Sequence, residues 1–285
     1  IPDWTFVSNW YYDLATSKSK VNLEVKEAVA KIFEGKTGLT EMQKARKIYE
    51  YIVGNIKYLS VSFLQSGLIP QKASHTLNTK LGDCKDVSTL FVSMCKEAGI
   101  NAELVLVATR NNGKYHMLPP SIDFNHCIAK LNTGGKEYYI ELTSDKLPFN
   151  TFYDNLKNAN YLHVKSEQSG QKADLSYLNP PTRNLNQVSR KTEVRLEGTD
   201  VFVKKTTIKT GVFASSMRDS YRDLGQQDQF KEMQRAIAGD YNQTTLKSLK
   251  FSNLTGLSDT VQYTYEFFGP EALAELGGMQ VLALP

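Results

Sequence analysis

Hydrophobic positions recur at helical spacing in the first part of the chain and at alternate positions in much of the remainder, which predicts helices followed by a β-rich region. Val25, Val29, Ile32 and Phe33 lie on one helical face, behind an aromatic lead-in of Trp4, Phe6, Trp10, Tyr11 and Tyr12 that reads as packing. Met42, Ala45, Ile48, Tyr49 and Ile52 line a second helix, and Thr40 with Gln43 forms a capping-box pair at its start. "KYLSVSFLQ" reads as a short strand, and Gly67, Pro70 and a polar stretch then lead to "LNTKLGDCKD". From Cys84 onward, Val87, Leu90, Phe91, Met94 and Cys95 predict a buried helix closed by Ala98-Gly99, which puts Cys84 at its N-terminus.

Three strand-like runs follow, "AELVLVATR" from Ala102, "HCIAKLN" from His126 and "EYYIELT" from Glu137. Gly134-Gly135 suits a two-residue hairpin turn. In that register Thr133 faces Lys136, Ile128 faces Glu141 and His126 faces Thr143. Between the first two runs, "NNGKYHMLPPSIDFN" is a candidate site-lining loop.

After Lys165 the polar, Pro-Pro-containing "SEQSGQKADLSYLNPPTRN" reads as a linker. Beyond it, "KTEVRLEG", "DVFVKKTTIKTG" and "DTVQYTYEFFG" alternate as strands, with one helix expected from Ser215 to Ile237. The expected organisation is α+β: helices packed on an antiparallel sheet over residues 1–165, then a mostly β domain over 166–285. The strand-like "VLALP" suggests that this second domain is incomplete at its C-terminus.

Composition narrows the function classes. With 41% hydrophobic and 22% charged residues among 285, the chain is globular rather than disordered. A net charge of +4 is spread along the sequence, so no concentrated basic patch suggests nucleic acid binding. No apolar run reaches the roughly 18–20 residues of a membrane span. Cys84, Cys95 and Cys127 are odd in number and leave at least one free thiol.

A nucleophilic thiol needs a lowered pKa, a nearby base and donors for the oxyanion it creates. A helix N-terminus offers partial positive charge and free N–H groups, which favours Cys84 as nucleophile. Asp83 and Asp86 oppose a thiolate there and read as helix-cap and first-turn acids, whereas Lys85 and a neighbouring imidazolium favour one. Among the four histidines only His126 opens a strand directly after a long loop. The two-residue turn puts Glu141 on the same sheet face as a diagonal neighbour, about 7–8 Å away at Cα, so Glu141 can orient His126. Asp145 shares that parity and is the fallback acid. His75, His116 and His163 read as surface or loop histidines, His116 with a possible substrate contact; Cys95 and Cys127 read as core.

The blocks "GDCKDVSTLFVSMCKEAGINAELVLV", "FNHCIAKL" and "KEYYIELTSD" resemble, in order, the Cys, His and Asp blocks of the transglutaminase-like superfamily, notably the multi-domain cysteine proteases of Bacteroidetes. The resemblance covers roughly residues 3–165 and, more weakly, the β-rich remainder. It implies a papain-like fold, a thiol nucleophile and acyl-enzyme chemistry on an amide, with no metal or organic cofactor. The family's aspartate, usually followed by Pro-Thr, is replaced by Glu141-Leu142-Thr143. A second oxyanion donor upstream is expected at Gln65, with Tyr58 behind it.

The resemblance leaves several functions open: a peptidase or other amidohydrolase on peptide or protein, acyl transfer to an amine, a silent peptide- or glycan-binding module, or an interaction role for the β domain. The start at Ile1, without methionine, reads as processed or truncated. A periplasmic or secreted location in a Gram-negative bacterium is compatible with that, and so is the cytoplasm.

Overall fold

In a computed structural model of the chain, the described residues are 1–59, 67–112, 119–179, 185–238 and 243–282. The chain divides into two compact units, one of Ile1–Asp145 with Phe149–Thr182 and one of Lys146–Pro148 with Arg183–Pro285.

The first unit opens with α1 (Trp4–Thr16), which Asp3 caps by accepting from the Phe6 N–H. The aromatic lead-in is thus a helix whose stripe of Trp4, Val7, Tyr11 and Ala15 is buried. Next come α2 (Leu23–Phe33), capped by Asn22, and α3 (Glu41–Asn55), where both halves of the Thr40–Gln43 capping box form. Then β1 (Lys57–Tyr58), α4 (Ala73–Thr79) and β2 (Leu81–Gly82) lead into α5 (Cys84–Glu97). The expected strand "KYLSVSFLQ" starts as β1, paired in parallel with β2; its residues 60–65 lie outside the described ones.

An antiparallel sheet follows from β3 (Asn101–Ala108), β4 (His126–Thr133), β5 (Lys136–Ile140), β6 (Ala159–His163) and β7 (Ser176–Leu178), in the order β5-β4-β3-β6-β7. Gly134 and Gly135 have φ of 58° and 70°, the left-handed pair that a tight primed hairpin turn needs. Thr133 accordingly faces Lys136 and Ala129 faces Ile140, the register expected from sequence. β7 lies inside the stretch expected to be linker, where Leu178 is buried beside Val105, Val107 and Ile128. On the other face Leu104, Leu106, Ala108 and Cys127 form a core with the α1 stripe and Cys84.

The second unit contains β8 (Val188–Glu197), β9 (Asp200–Thr210), α6 (Val212–Tyr221), α7 (Gln226–Ile237), β10 (Thr245–Ser252), β11 (Thr260–Gly269), β12 (Leu273–Leu276) and β13 (Met279–Leu282). Four strands form an antiparallel sheet in the order β10-β11-β9-β8. Val201 and Val203 of β9, with Val261, Tyr263, Tyr265 and Phe267 of β11, alternate onto the face covered by α6 and α7. The single helix expected from Ser215 to Ile237 is two helices, because the chain turns at Asp223–Leu224 and Gly225 starts α7. Arg218 of α6 is fully buried and donates to three main-chain oxygens, of Lys146 (3.2 Å), Asn253 (3.3 Å) and Ser258 (2.7 Å). Lys146 in turn pairs with Asp219 and Asp223.

The architecture is α+β, with helices on an antiparallel sheet and a further, mostly β region. Among the described residues no helix is long and apolar enough to cross a membrane.

Candidate active site

Cys84 is the first residue of α5, and the chain is held tightly on either side of it. Asp83 is the N-cap, accepting from the N–H groups of Lys85 (3.2 Å) and Asp86 (3.3 Å), while Asp86 accepts from the Asp83 N–H (3.2 Å). This reciprocal capping box leaves the Cys84 N–H outside the cap. Asp86 is anchored further by the main-chain N–H (2.8 Å) and side-chain amide (3.2 Å) of Gln71. Asp83, Lys85 and Asp86 are all buried, and the Lys85 ammonium pairs with Asp83. Burial pushes the Asp86 carboxyl up, with the Gln71 N–H opposing that shift and the Asp83 charge adding to it. Both acids are thus cap and first-turn groups, as their positions suggested. Gly82 has to be small: a Cβ there would lie 2.9 Å from Asp86 Cβ and 3.0 Å from Thr76 Cγ2.

His126 is the first residue of β4, opposite Val107 of β3. Glu141 follows the last residue of β5, where the hairpin register brings it onto the His126 face. Its Oε2 lies 2.7 Å from His126 Nε2, and its Oε1 accepts from the Thr143 N–H (2.9 Å) and hydroxyl (2.7 Å). The Cys84 sulfur acts on the charge of the imidazole, and Nδ1 is the ring nitrogen that Glu141 does not engage. Burial alone pulls the His126 pKa down, but the Glu141 carboxylate and the Cys84 sulfur outweigh that, so the imidazole is held well above its usual value. For Glu141 burial pulls upward, and the His126 charge and the Thr143 bonds reverse it, leaving the carboxyl below its ordinary range. The arrangement can pass a proton between a sulfur and an imidazole whose orientation is fixed from behind.

The other expected residues are placed differently. Asp145 is exposed and makes no hydrogen bond to His126; it lines a cavity of about 510 Å³ with Gly54, Lys57, Tyr58 and Thr143. Gln65 and His116 lie outside the described residues, and Tyr58 faces Gly82 across the β1–β2 pair. Cys95 and Cys127 are buried in the core and their thiols are pushed up by that burial. His75 is exposed on α4.

His163 departs from its reading as a surface or loop histidine. It sits in β6 within a polar network in which buried Lys130 reaches Glu103 (3.1 Å), Glu137 (3.1 Å) and His163 Nδ1 (3.4 Å), and Tyr139 links Tyr161 to His163 Nε2. Burial and the Lys130 charge lower the His163 pKa to about 4. The sequence signal for this network was a lysine inside the apolar β4 run. Among the described residues no group of three or more His, Cys, Asp or Glu side chains is arranged to hold a metal ion.

No curated protein matches the chain. A crystal structure of a candidate protease from Parabacteroides distasonis ATCC 8503 is similar at 9% identity and a TM-score of 0.47, over 94% of this chain and 53% of that one. A candidate cysteine protease from Cytophaga hutchinsonii is similar at 20% identity and a TM-score of 0.31, over 42% of this chain and 36% of that one. The chain therefore spans about half the length of the first and about a third of the second. Residues 26–142 match the family model described as the transglutaminase-like superfamily, a span that includes Cys84, His126 and Glu141 and supports a cysteine-type enzyme. The chain thus contains, over those residues, a core of the transglutaminase-like superfamily.

Proposed function

We propose that this protein is a cysteine-nucleophile enzyme that hydrolyses amide bonds in peptides or proteins through a thioester acyl-enzyme. The observation behind this reading is one imidazole, His126, held 2.7 Å from the Glu141 carboxylate and influenced by the thiol on the first residue of a helix, Cys84, which raises its pKa.

In this reading His126 Nδ1 takes the Cys84 proton and the sulfur attacks the amide carbon. The Cys84 N–H, which the Asp83 cap does not use, is the available donor for the resulting oxyanion. The imidazolium then protonates the departing amine, and the tetrahedral species collapses to a thioester. Water, deprotonated by His126, attacks the thioester and releases the carboxylic acid and the free thiol. Glu141 keeps Nε2 as the proton-bearing nitrogen and steadies the imidazolium, with Thr143 holding the carboxylate in place. Catalysis belongs to the first domain and the β-rich domain is accessory.

The family match favours a second reading, acyl transfer, in which a primary amine replaces water at the thioester. Incubating a mixed protein substrate with and without a dansylated primary amine, and analysing products by mass spectrometry, separates the two. New peptide termini support hydrolysis and amine incorporation supports transfer. Neither product, together with iodoacetamide labelling of Cys84 no faster than that of an ordinary thiol, rejects both in favour of a binding module.

A further inference from the structure

The sheet of the second unit ends in a strand with one open side. In the order β10-β11-β9-β8, β8 is the last strand, and among the described residues no strand pairs with its outer edge. It is 10 residues long, contains no proline and pairs with β9 in unbroken register, from Val188 opposite Lys209 to Glu197 opposite Asp200. Every residue of it is exposed, and none belongs to the core that α6 and α7 cover. In the same register the Thr210 N–H donates to the Gln187 carbonyl at 2.9 Å, so the odd-numbered residues of β8 bond to β9. The N–H and C=O groups of Thr192, Val194 and Leu196 therefore point outward. Exposed edges are ordinarily shortened, bulged, interrupted by proline or loaded with charge, and β8 has only the last.

The charges decide what can pair there. On one face Lys191, Glu193, Arg195 and Glu197 alternate in sign and pair along the strand, Lys191 with Glu193 and Arg195 with Glu197. Exposed pairs of this kind contribute little, so they exchange readily for pairs across an interface. Laid antiparallel against a second copy with Val194 facing Val194, β8 sets Lys191 opposite Glu197 and Glu193 opposite Arg195. Each charge then meets the opposite sign both along and across the seam. The neighbouring registers do worse. With Glu193 facing itself, Lys191 meets Arg195; with Arg195 facing itself, Glu193 meets Glu197; centred on Thr192, the strand matches Lys191 with Glu193 but leaves Glu197 opposite an uncharged residue. On the other face the register centred on Val194 closes Val194 on its own copy and Leu196 on Thr192, covering side chains that are 37% and 47% exposed in the single chain. We infer that β8 is the edge through which two copies of this chain pair, antiparallel and centred on Val194, joining their four-stranded sheets into one.

The test is sedimentation velocity of the full chain over a concentration series, in the native protein, in Glu193→Arg and Arg195→Glu, and in an equal mixture of the two variants. The native chain is expected to dimerise with a dissociation constant of about 1–100 µM at low salt, and more weakly as salt screens the ion pairs. Each variant alone sets like charges opposite each other at two places in the seam and is expected to dimerise at least about tenfold more weakly. Mixed, the two variants restore opposite charges at both places and are expected to form a one-to-one heterodimer of native affinity. Circular dichroism checks that each variant keeps its fold. If either folds poorly, Val194→Lys decides the matter, because it sets two lysines against each other at the centre and is expected to leave the chain monomeric. A native chain that stays monomeric at about 1 mM and low salt overturns the inference. So does a dimer that survives these substitutions, which places the contact elsewhere, and so does a mixture no more dimeric than its components, which rejects the register.

Discussion

Glu141 accepts from His126 through one carboxylate oxygen at 2.7 Å and from Thr143, twice, through the other. The acid is therefore fixed on both sides, and its extra methylene relative to aspartate is absorbed by a position just beyond β5. Replacing it is expected to release the imidazole. In Glu141→Gln the NMR titration midpoint of His126 should fall, because burial then acts without the opposing carboxylate, and turnover should drop by about a hundredfold or more. A midpoint unchanged from the native protein would refute the coupling.

The same pair makes stability depend on pH with a definite sign. Glu141 is lowered from 4.5, so its contribution is present above 4.5 and fades as pH falls through the folded value. His126 is raised from 6.5, so its contribution is present below 6.5 and fades as pH rises through the folded value. The loss of stability in Glu141→Gln, about 1–3 kcal/mol, should thus be greatest between those two values and shrink on either side. Denaturant melts at acid, intermediate and alkaline pH check this. A loss that is flat with pH would contradict it.

Thiol labelling should separate the cysteines. All three cysteines are buried, but Cys95 and Cys127 lie within the core with their thiols pushed up and should stay unmodified by iodoacetamide until the protein unfolds, while Cys84, on the first residue of α5, reacts in the native state. Cys84→Ala should abolish both native labelling and turnover while leaving the circular dichroism spectrum unchanged.

Gly82 and Gly54 should respond oppositely to alanine. At Gly82 the new methyl meets Asp86 Cβ and Thr76 Cγ2, so the capping box beside Cys84 has to shift; a loss of about 1–3 kcal/mol and slower Cys84 labelling are expected. Gly54 lies in α3 with open space around it, and Gly54→Ala should stabilise by about 0.5–1 kcal/mol. Urea unfolding of both variants measures the contrast, and equal effects would contradict the packing argument at Gly82.

Features set by local chemistry were legible in the sequence. The Thr40–Gln43 box, the Gly134-Gly135 turn and the register that delivers Glu141 to His126 each depend on a few adjacent residues. What long-range pairing decides was not legible. Lys130 reads as a lone charge in an apolar run until β3 and β5 bring Glu103 and Glu137 beside it, and that cluster in turn draws in His163. The break between α6 and α7 was hidden because the apolar spacing of Met217 and Tyr221 resumes at Phe230, Met233 and Ile237, although Gly225 marked the place. Ser176–Leu178 is too short and its surroundings too polar to announce a strand without its partner β6.

The fastening of Lys146 by Arg218, Asp219 and Asp223 bears on any attempt to dissect the protein. Lys146–Pro148 is counted in the second unit although it lies in the sequence only five residues after Glu141. A polypeptide ending near Thr182 would strip Lys146 of the guanidinium and carboxylates that hold it, in the segment that also supplies the acid to His126. Genetic separation of the two units therefore has no clean seam, and an isolated N-terminal fragment that proves inactive would not by itself argue against Cys84 as the nucleophile.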